Sequence, residues 1–224
     1  MVKIITGILF IIGCALFGYY IWNDLSSVAP SPISPTPTST PVSVIGVETT
    51  GTSPKGTAQP PNTSVPIPDL NRPIDFSGAT MSLNIQKKAR ESVLSLESAL
   101  KGNSDDFGSW IDLGLERSSY GDYEGARQAW EYASAIRPKN SVSFGNLGFL
   151  YGYQLHDSVK AEKNYLQAIG NDAALSYLYL QTSEFYRDVL KDTAKAKGIL
   201  QQGLIRLPNS PELQSALNAL SSTH

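Results

Sequence analysis

The sequence predicts an all-α fold, in which a short solenoid of helical hairpins follows an apolar membrane helix and a proline-rich linker. Three observations support this prediction. The N-terminus is an uncharged apolar stretch, 11 of the 14 prolines lie between Pro30 and Pro73, and the C-terminal part repeats with a period of about 34 to 35 residues. A fixed period of this length is typical of stacked hairpins, because each hairpin buries its apolar face against its neighbours. We therefore divide the chain into residues 1–24, 25–80 and 81–224.

The first segment is long and apolar enough to span a bilayer. Residues 4–22 carry no charge, and as a helix they would extend about 28 Å, close to the thickness of a hydrocarbon core. Tyr19, Tyr20 and Trp22 stand at its end, where interfacial aromatic residues are common, and Lys3 precedes it. The positive-inside rule then predicts a single-pass membrane protein with a cytoplasmic N-terminus and an extracytoplasmic repeat domain.

Two other interpretations of this segment stay open. A cleaved signal peptide has a shorter apolar core, and the nearby small-residue site Ser27–Ala29 is followed by Pro30, which disfavours cleavage. A lipoprotein would be acylated at Cys14 in the Ile11–Cys14 motif, but apolar residues continue beyond it. We interpret Cys14 as a small apolar residue inside the span, and as the single cysteine it forms no internal disulfide.

Residues 25–80 form a predicted disordered linker that is rich in proline, serine and threonine. They lack the periodic apolar residues of a core, so no burial would offset the conformational entropy lost on ordering them. Because proline-rich chains are extended, this segment would act as a tether between the membrane and the C-terminal domain. The Asn62–Ser64 sequon inside it is a short pattern of low specificity for N-glycosylation.

The first repeat shows the predicted hairpin most clearly. Its first helix begins near Asp105 or Asp106, which are good N-caps, and ends at Gly121. Its second helix follows Asp122 and ends before Pro138. Small residues such as Gly114 and Ala126 would let the two helices approach, and the large residues Tyr123 and Trp130 would fill the space between hairpins. The residues that carry the pattern recur at helical spacing: Trp110, Leu113, Gly114, Arg117, Tyr123, Ala126, Trp130 and Ala133.

This pattern resembles the tetratricopeptide repeat. A second copy follows with one extra residue near His156, and a third has Ser183 and Gly203 where the family has other small residues. The resemblance covers about 100 residues and implies a short right-handed solenoid of about three repeats with a concave, protein-binding surface. In the second and third repeats it rests on Phe144, Leu147, Gly148, Tyr151, Ala161, Tyr165, Ala168, Tyr179, Tyr186, Ala196, Leu200 and Pro208.

A helix is predicted on each side of the three repeats. The first covers residues 81–101, and the second begins at Ser210 with Pro211 in its first turn. A terminal helix of this kind caps a repeat array and keeps it soluble. The expected buried stripes are Ala89, Val93, Leu96 and Leu100 in the first helix, and Leu213, Leu217 and Leu220 in the second.

In the resembled family, the first helix of each hairpin lines a concave groove. Transferred to this sequence, that geometry implies a partner-binding groove of apolar and aromatic side chains with a charged pair near its end, which suits a peptide or a partner helix. The family variant that grips a terminal carboxylate uses lysine and asparagine, and here only Asn146 is available for that role. The alternative is that several of these aromatic residues belong to the core. The candidate groove residues are Ile111, Leu115, Phe149, Tyr153, Tyr177, Leu180, Glu184 and Arg187.

Composition argues against several other function classes. Residues 81–224 contain 15 basic and 16 acidic side chains, so no basic face for nucleic acid is expected. The chain has two histidines, no cysteine–histidine pair and no glycine-rich phosphate loop. We therefore expect no enzyme, no catalytic residue, no metal and no cofactor. The hypothesis is a membrane-tethered scaffold for a protein or peptide partner; the alternative is a self-associating, homo-oligomeric subunit or spacer of an envelope assembly.

Overall fold

The computed structural model describes residues 65–222, and the regular structure of these residues is entirely helical. This confirms the all-α class for the described part of the chain. The predicted membrane helix, Cys14 and the linker up to residue 64 lie outside it. Between residues 65 and 222, no helix is long and apolar enough to cross a membrane. The elements are α1 (Leu83–Gly102), α2 (Phe107–Ser119), α3 (Tyr123–Ile136), α4 (Ser141–Phe149), a π-helix (Leu150–Gln154), α5 (Ser158–Asn171), α6 (Ser176–Asp188), α7 (Thr193–Arg206) and α8 (Pro211–Ser221).

The helices pack as consecutive hairpins. The closest pairs are α2 with α3, α4 with α5, and α6 with α7, while α1 and α8 flank them at the two ends. Neighbouring hairpins contact each other through α3 with α4 and through α5 with α6. The repeated pattern in the sequence is therefore a repeated structure, in which each hairpin buries side chains against the next.

All three hairpins turn in the same way. The residue before the N-cap of each second helix has a positive φ: 84° at Gly121, 54° at His156 and 55° at Lys191. Each is followed by an aspartate whose side chain accepts a hydrogen bond from a backbone N–H in the first turn of α3, α5 or α7. Of the three turns, only the first has glycine at this position. In the other two, a residue with a side chain adopts the left-handed backbone conformation, which is strained.

The extra residue of the second repeat is accommodated as a π-helix. The amide of Leu155 donates to the carbonyl of Leu150 over 2.9 Å, a bond that spans five residues instead of four. The amide of Asp157 then donates to the carbonyl of Tyr151 over 2.8 Å and closes the turn. One inserted residue thus widens a single helical turn and leaves the packing of α4 on α5 in register.

Most of the repeat residues named from the sequence are buried in the core, whereas Tyr123 and Phe144 are partly exposed and Pro208 is exposed. Trp110, Trp130 and Tyr165 are each at most 3 % exposed. Opposite them, Gly114 and Gly148 let two helices approach closely: a Cβ on Gly114 would lie 2.2 Å from Trp130 Nε1, and one on Gly148 would lie 2.7 Å from the Tyr165 ring. In the first two hairpins, one small and one aromatic residue therefore fit together between the helices.

The predicted linker extends too far, because residues 65–80 pack on the repeats. Leu70 is buried in the same apolar cluster as Trp110. The Arg72 guanidinium donates two hydrogen bonds to the Asp122 carboxylate, at 2.7 and 2.8 Å. Composition suggested disorder here because the partners of Leu70 and Arg72 lie far away in the sequence.

Candidate functional site

The eight predicted groove residues all lie on the first helices of the hairpins or on the π-helix that extends one of them. Ile111 and Leu115 are in α2, Phe149 ends α4, and Tyr153 is in the π-helix. The other four are in α6. None of the eight is fully buried; five pack on the core with partial exposure, and Leu115, Glu184 and Arg187 are exposed. The set in α6 is Tyr177, Leu180, Glu184 and Arg187.

Two of these aromatic side chains form a stacked pair. The rings of Phe149 and Tyr153 have centroids 5.0 Å apart and planes inclined by 27°. Both rings are half-buried against the core. Partial burial of the Tyr153 phenol, together with the charges of Glu184 and Asp188, raises its pKa. An aromatic pair held by the core and still open to solvent is a rigid anchor for a partner.

The first helices of the second and third hairpins approach each other closely beside this pair. A Cβ on Gly152 would lie 3.0 Å from the Phe185 ring of α6, so the absence of a side chain there brings the π-helix onto α6. Phe185 in turn packs on Tyr165, with ring centroids 5.5 Å apart. The contact of Gly152 with Phe185 brings Tyr153 and Glu184 into one region, which we call the α4–α6 section. The polar side chains of this section are Tyr153, Tyr165, Glu184, Arg187 and Asp188.

Of the two charged candidates near the end of the predicted groove, Arg187 pairs with a residue outside the predicted set. Arg187 forms its ion pair with Asp188, through two hydrogen bonds of 2.7 Å each, and not with Glu184. Glu184 takes part in no salt bridge within residues 65–222. Although the Glu184 side chain is exposed, surrounding protein atoms partly desolvate its carboxyl and raise its pKa, and the charge of the neighbouring Arg187 opposes this effect. The sequence missed Asp188 as the partner because adjacent helical residues seldom face each other.

A buried hydroxyl belongs to the same section. Tyr165 is 1 % exposed, and its phenolic oxygen has no hydrogen-bond partner among the described residues. Burial raises its pKa well above the usual range, and the Tyr153 phenol and Glu184 carboxyl act in the same direction. The sequence assigned Tyr165 to the core, which is right for its ring, but it did not indicate that the hydroxyl would be unpaired.

Leu115 lies in a different part of the molecule from the stacked aromatic pair. Leu115 borders a cleft of about 370 Å³ between α1 and α2, where α1 contributes Ser92, Ser95 and Leu96. Burial and the charge of Asp106 raise the pKa of the neighbouring Asp112. Leu115 therefore belongs to the α1–α2 cleft. The apolar and aromatic candidates that pack against one cluster of the core are Ile111, Phe149, Tyr153, Tyr177 and Leu180.

A buried ionic network lies away from these surfaces, where α1, α2 and residues 65–80 meet. Arg117 donates to Glu97 over 2.6 Å and to Asp122 over 2.5 Å. Burial raises the pKa of Glu97 despite its bond to Arg117. Burial would also raise the pKa of Asp122, but hydrogen bonds from Arg72, Gly125 and Arg117 outweigh this effect and lower it. Every carboxylate and guanidinium here has a partner, so we interpret the network as structural.

No protein-family model matches the chain, and no curated protein gives a significant match. In residues 65–222 no group of three or more histidine, cysteine, aspartate or glutamate side chains is placed to hold a metal ion. The arguments about function therefore rest on the geometry described above.

Proposed function

We propose that this protein is a membrane-tethered scaffold with tetratricopeptide-like repeats, which binds a protein or peptide partner outside the cytoplasm. In this proposal the hairpins form a short right-handed solenoid, and their first helices line its concave face. The observation that carries the proposal is the stacked pair of Phe149 and Tyr153, which is anchored in the core yet remains partly exposed on a first helix. Aromatic anchors of this kind contribute much of the binding energy in protein interfaces.

The membrane tether is the second part of the proposal. It rests on the uncharged stretch at residues 4–22 and on the proline-rich residues that follow it. Residues 65–80 support the idea of a tether, because Leu70 and the ion pair of Arg72 with Asp122 attach the end of this segment to the first hairpin. A partner bound to the repeats would then be held near the membrane surface.

The test compares partner capture by the wild type and by a variant with Phe149→Ala and Tyr153→Ala. The full chain is expressed in its own membranes, crosslinked and purified, and the captured proteins are identified by mass spectrometry. We expect the double variant to lose a defined set of partners and to keep its circular-dichroism spectrum. A matched control, Ile205→Ala, changes an apolar side chain that is 79 % exposed on the second helix α7 and should lose none. Identical capture by all three proteins contradicts the proposal.

Self-association is the second candidate, because α1 exposes apolar side chains at one end of the array. Leu83 is 80 % exposed, and Leu94 is 60 % exposed. A second copy of the protein would bury this surface, and the protein would then act as a subunit or spacer of an envelope assembly. Sedimentation of the full chain in detergent, compared with a Leu83→Ser and Leu94→Ser variant, tests it: a concentration-dependent oligomer that the variant abolishes supports self-association, and a monomer at all concentrations refutes it.

A further inference from the structure

We propose that the α1–α2 cleft docks an amphipathic helix of a partner protein, with lysine or arginine residues beside its apolar stripe. This helix would take the place of a first helix that α1 lacks. The inference goes beyond the proposed function, because neither Phe149 nor Tyr153 lines the cleft. Its lining comes from α1 and α2 and consists of Ser92, Ser95, Leu96, Asp112, Leu115 and Glu116.

α1 occupies the position of a second helix without a first helix of its own. It packs on α2 as α3 packs on α4 and as α5 packs on α6, so each of them contacts the first helix of the next hairpin. In the repeat register Leu96 of α1 stands 34 residues before Trp130 of α3. A first helix precedes α3, α5 and α7, whereas residues 65–82, which precede α1, form no helix.

The face that a second helix turns toward its own first helix is uncovered in α1. In the three complete hairpins this face is buried, and its residues are Ala126, Trp130, Ala133, Ala161, Tyr165, Ala168, Ala196, Leu200 and Gly203. The equivalent residues of α1 are Ser92 and Leu96, which are partly exposed, and Ala99, which is exposed. The contact that closes every other hairpin is therefore missing at α1.

α2 contributes a second uncovered position to the same cleft. Glu116 stands 34 residues before Leu150 and 69 residues before Phe185, and both of these side chains are 0 % exposed. Phe185 packs on Gly152 of the preceding hairpin. Glu116 remains partly exposed, because α2 has no first helix before it. The uncovered faces of α1 and α2 thus meet in one cleft.

The described residues before α1 do not fill this cleft. Leu70 joins the apolar cluster of Trp110, and Arg72 pairs with Asp122. None of residues 65–80 lines the cleft. Residues 25–64 are rich in proline, which is unfavourable inside a helix. A helix from a partner is therefore the occupant that fits this position.

Charge complementarity defines the chemistry of the partner helix. Asp112 and Glu116 are one helical turn apart, and no basic side chain is among the residues that line the cleft. Neither carboxylate forms a salt bridge within residues 65–222. The hydrogen bond between the Tyr120 phenol and Glu116 leaves the negative charge uncompensated. Lysine and arginine would supply the opposite charge.

The apolar part of the cleft supplies the affinity. Leu115 is 45 % exposed, and Leu96 faces it across the cleft. An apolar stripe on the partner helix would cover both leucines, and the stems of its lysine or arginine side chains would add apolar contact. Ion pairs at an exposed site contribute little energy, so the two carboxylates mainly select which helix binds.

The experiment is a peptide-display selection on the full chain in detergent. The probe is a library of thirteen-residue peptides made of alanine, leucine, glutamine, glutamate, lysine and arginine, because α2 and α6 have 13 residues each. We expect wild type to enrich peptides with leucine at helical spacing and lysine or arginine beside it. Asp112→Asn/Glu116→Gln should lose the basic preference, and Asp112→Lys/Glu116→Lys should reverse it toward glutamate.

Affinities of one enriched peptide separate docking in the cleft from general charge effects. We expect the dissociation constant to rise roughly ten-fold for Leu115→Ser, which removes apolar contact. For Asp112→Asn/Glu116→Gln we expect a rise of roughly three- to ten-fold. The control Gln201→Lys/Gln202→Lys changes the net charge by the same amount at exposed positions of α7, and it should leave binding unchanged.

Circular dichroism tests whether the occupant is a helix. A free peptide of this length is mostly unfolded, so docking should increase the helical signal of the mixture above the sum of its components. The spectrum of each variant without peptide should match that of wild type, which shows that a loss of binding does not come from unfolding. A bound peptide that gains no helical signal refutes the inference.

Other outcomes of the selection also overturn it. If wild type enriches no peptide that Leu115→Ser loses, the cleft is not a docking site. If the enriched peptides carry no basic residues, or bind Asp112→Asn/Glu116→Gln as well as wild type, the charge argument is wrong. None of these results involves Phe149 or Tyr153, so the proposed aromatic groove would still stand.

A photoreactive benzoyl-phenylalanine in place of Ser95 tests the other possible occupants. In the full chain without peptide, we expect no crosslink within the chain or between two copies. A crosslink to residues 1–64 would mean that the chain covers its own cleft, and a crosslinked dimer would mean that a second copy does. Either product overturns the assignment of the cleft to a partner helix.

Discussion

Arg117 holds together three parts of the protein that are distant in sequence, and we expect its removal to destabilise the fold. Its guanidinium is 3 % exposed and donates to the Glu97 carboxylate, to the Asp122 carboxylate and to the carbonyl oxygen of Arg72. In an Arg117→Leu variant, Asp122 would keep the two bonds from Arg72 and one from the Gly125 amide. Glu97, which is 2 % exposed, would lose its basic partner and remain buried.

The size of the effect follows because Arg117→Leu leaves Asp122 with other partners but leaves the buried Glu97 without its basic partner. Removing one partner of a buried ion pair typically costs about 3 to 5 kcal/mol, because the remaining charge stays desolvated. This is a large part of the roughly 5 to 15 kcal/mol that stabilises an ordinary domain. Replacing both partners with leucine removes the uncompensated charge, so a Glu97→Leu/Arg117→Leu variant should recover most of the loss.

The assay is urea unfolding of the full chain in detergent, followed by circular dichroism between pH 5 and pH 7.5. Burial already raises the pKa of Glu97 above its ordinary value of 4.5, and loss of Arg117 should raise it further. A raised pKa means that the folded state binds more protons, so the variant loses stability as pH increases through that pKa. The difference in the free energy of unfolding between wild type and Arg117→Leu should therefore be smallest near pH 5 and largest at neutral pH.

Two results would refute this reasoning. A loss below about 1 kcal/mol for Arg117→Leu would mean that Glu97 finds water or another partner without cost. A double variant that is as unstable as the single variant would mean that packing, and not the unpaired carboxylate, sets the loss.

Two further predictions concern the repeat itself. Gly114→Ala would place a Cβ 2.2 Å from Trp130 Nε1, so we expect thermal unfolding to show a loss of about 1 to 3 kcal/mol in the free energy of unfolding. At Gly198 a Cβ would meet no atom within 4 Å, so Gly198→Ala should instead raise the free energy of unfolding by about 0.5 to 1 kcal/mol. Asp192→Ala removes the side chain that accepts from the Lys195 amide over 2.8 Å, and we expect a loss of about 1 kcal/mol. Ser82→Ala is the control for Asp192→Ala, because the Ser82 hydroxyl makes no capping bond to α1. If chemical unfolding shows the same loss of stability for Asp192→Ala and Ser82→Ala, Asp192 does not stabilise α7 as a cap.

Much of the helical fold was predictable from local signals. Asp106 was one of the two expected caps and does cap α2, accepting from the amides of Gly108 and Ser109. The small and aromatic positions that recur every 34 to 35 residues also proved to be core. These signals are readable because caps, breakers and helical spacing act within a few residues of each other.

The sequence predicted the groove residues only as positions on first helices. It named Phe149, Tyr153, Glu184 and Arg187 as candidates, but it did not include Asp188, to which Arg187 bonds. It assigned Tyr165 to the core and gave no sign of its unpaired hydroxyl. Which polar atoms meet depends on rotamers and on how closely α4 and α6 approach, and spacing alone does not specify either.

By itself, the sequence determined the helical hairpins and their order, because a hairpin is specified by residues close together along the chain. The tertiary structure decided what depends on distant contacts. It placed Leu70 and Arg72 on the first hairpin, joined Glu97 to Arg117, and left Tyr165 without a hydrogen-bond partner among the described residues. The partners of a buried charge or hydroxyl come from other helices, so they are fixed only when those helices pack.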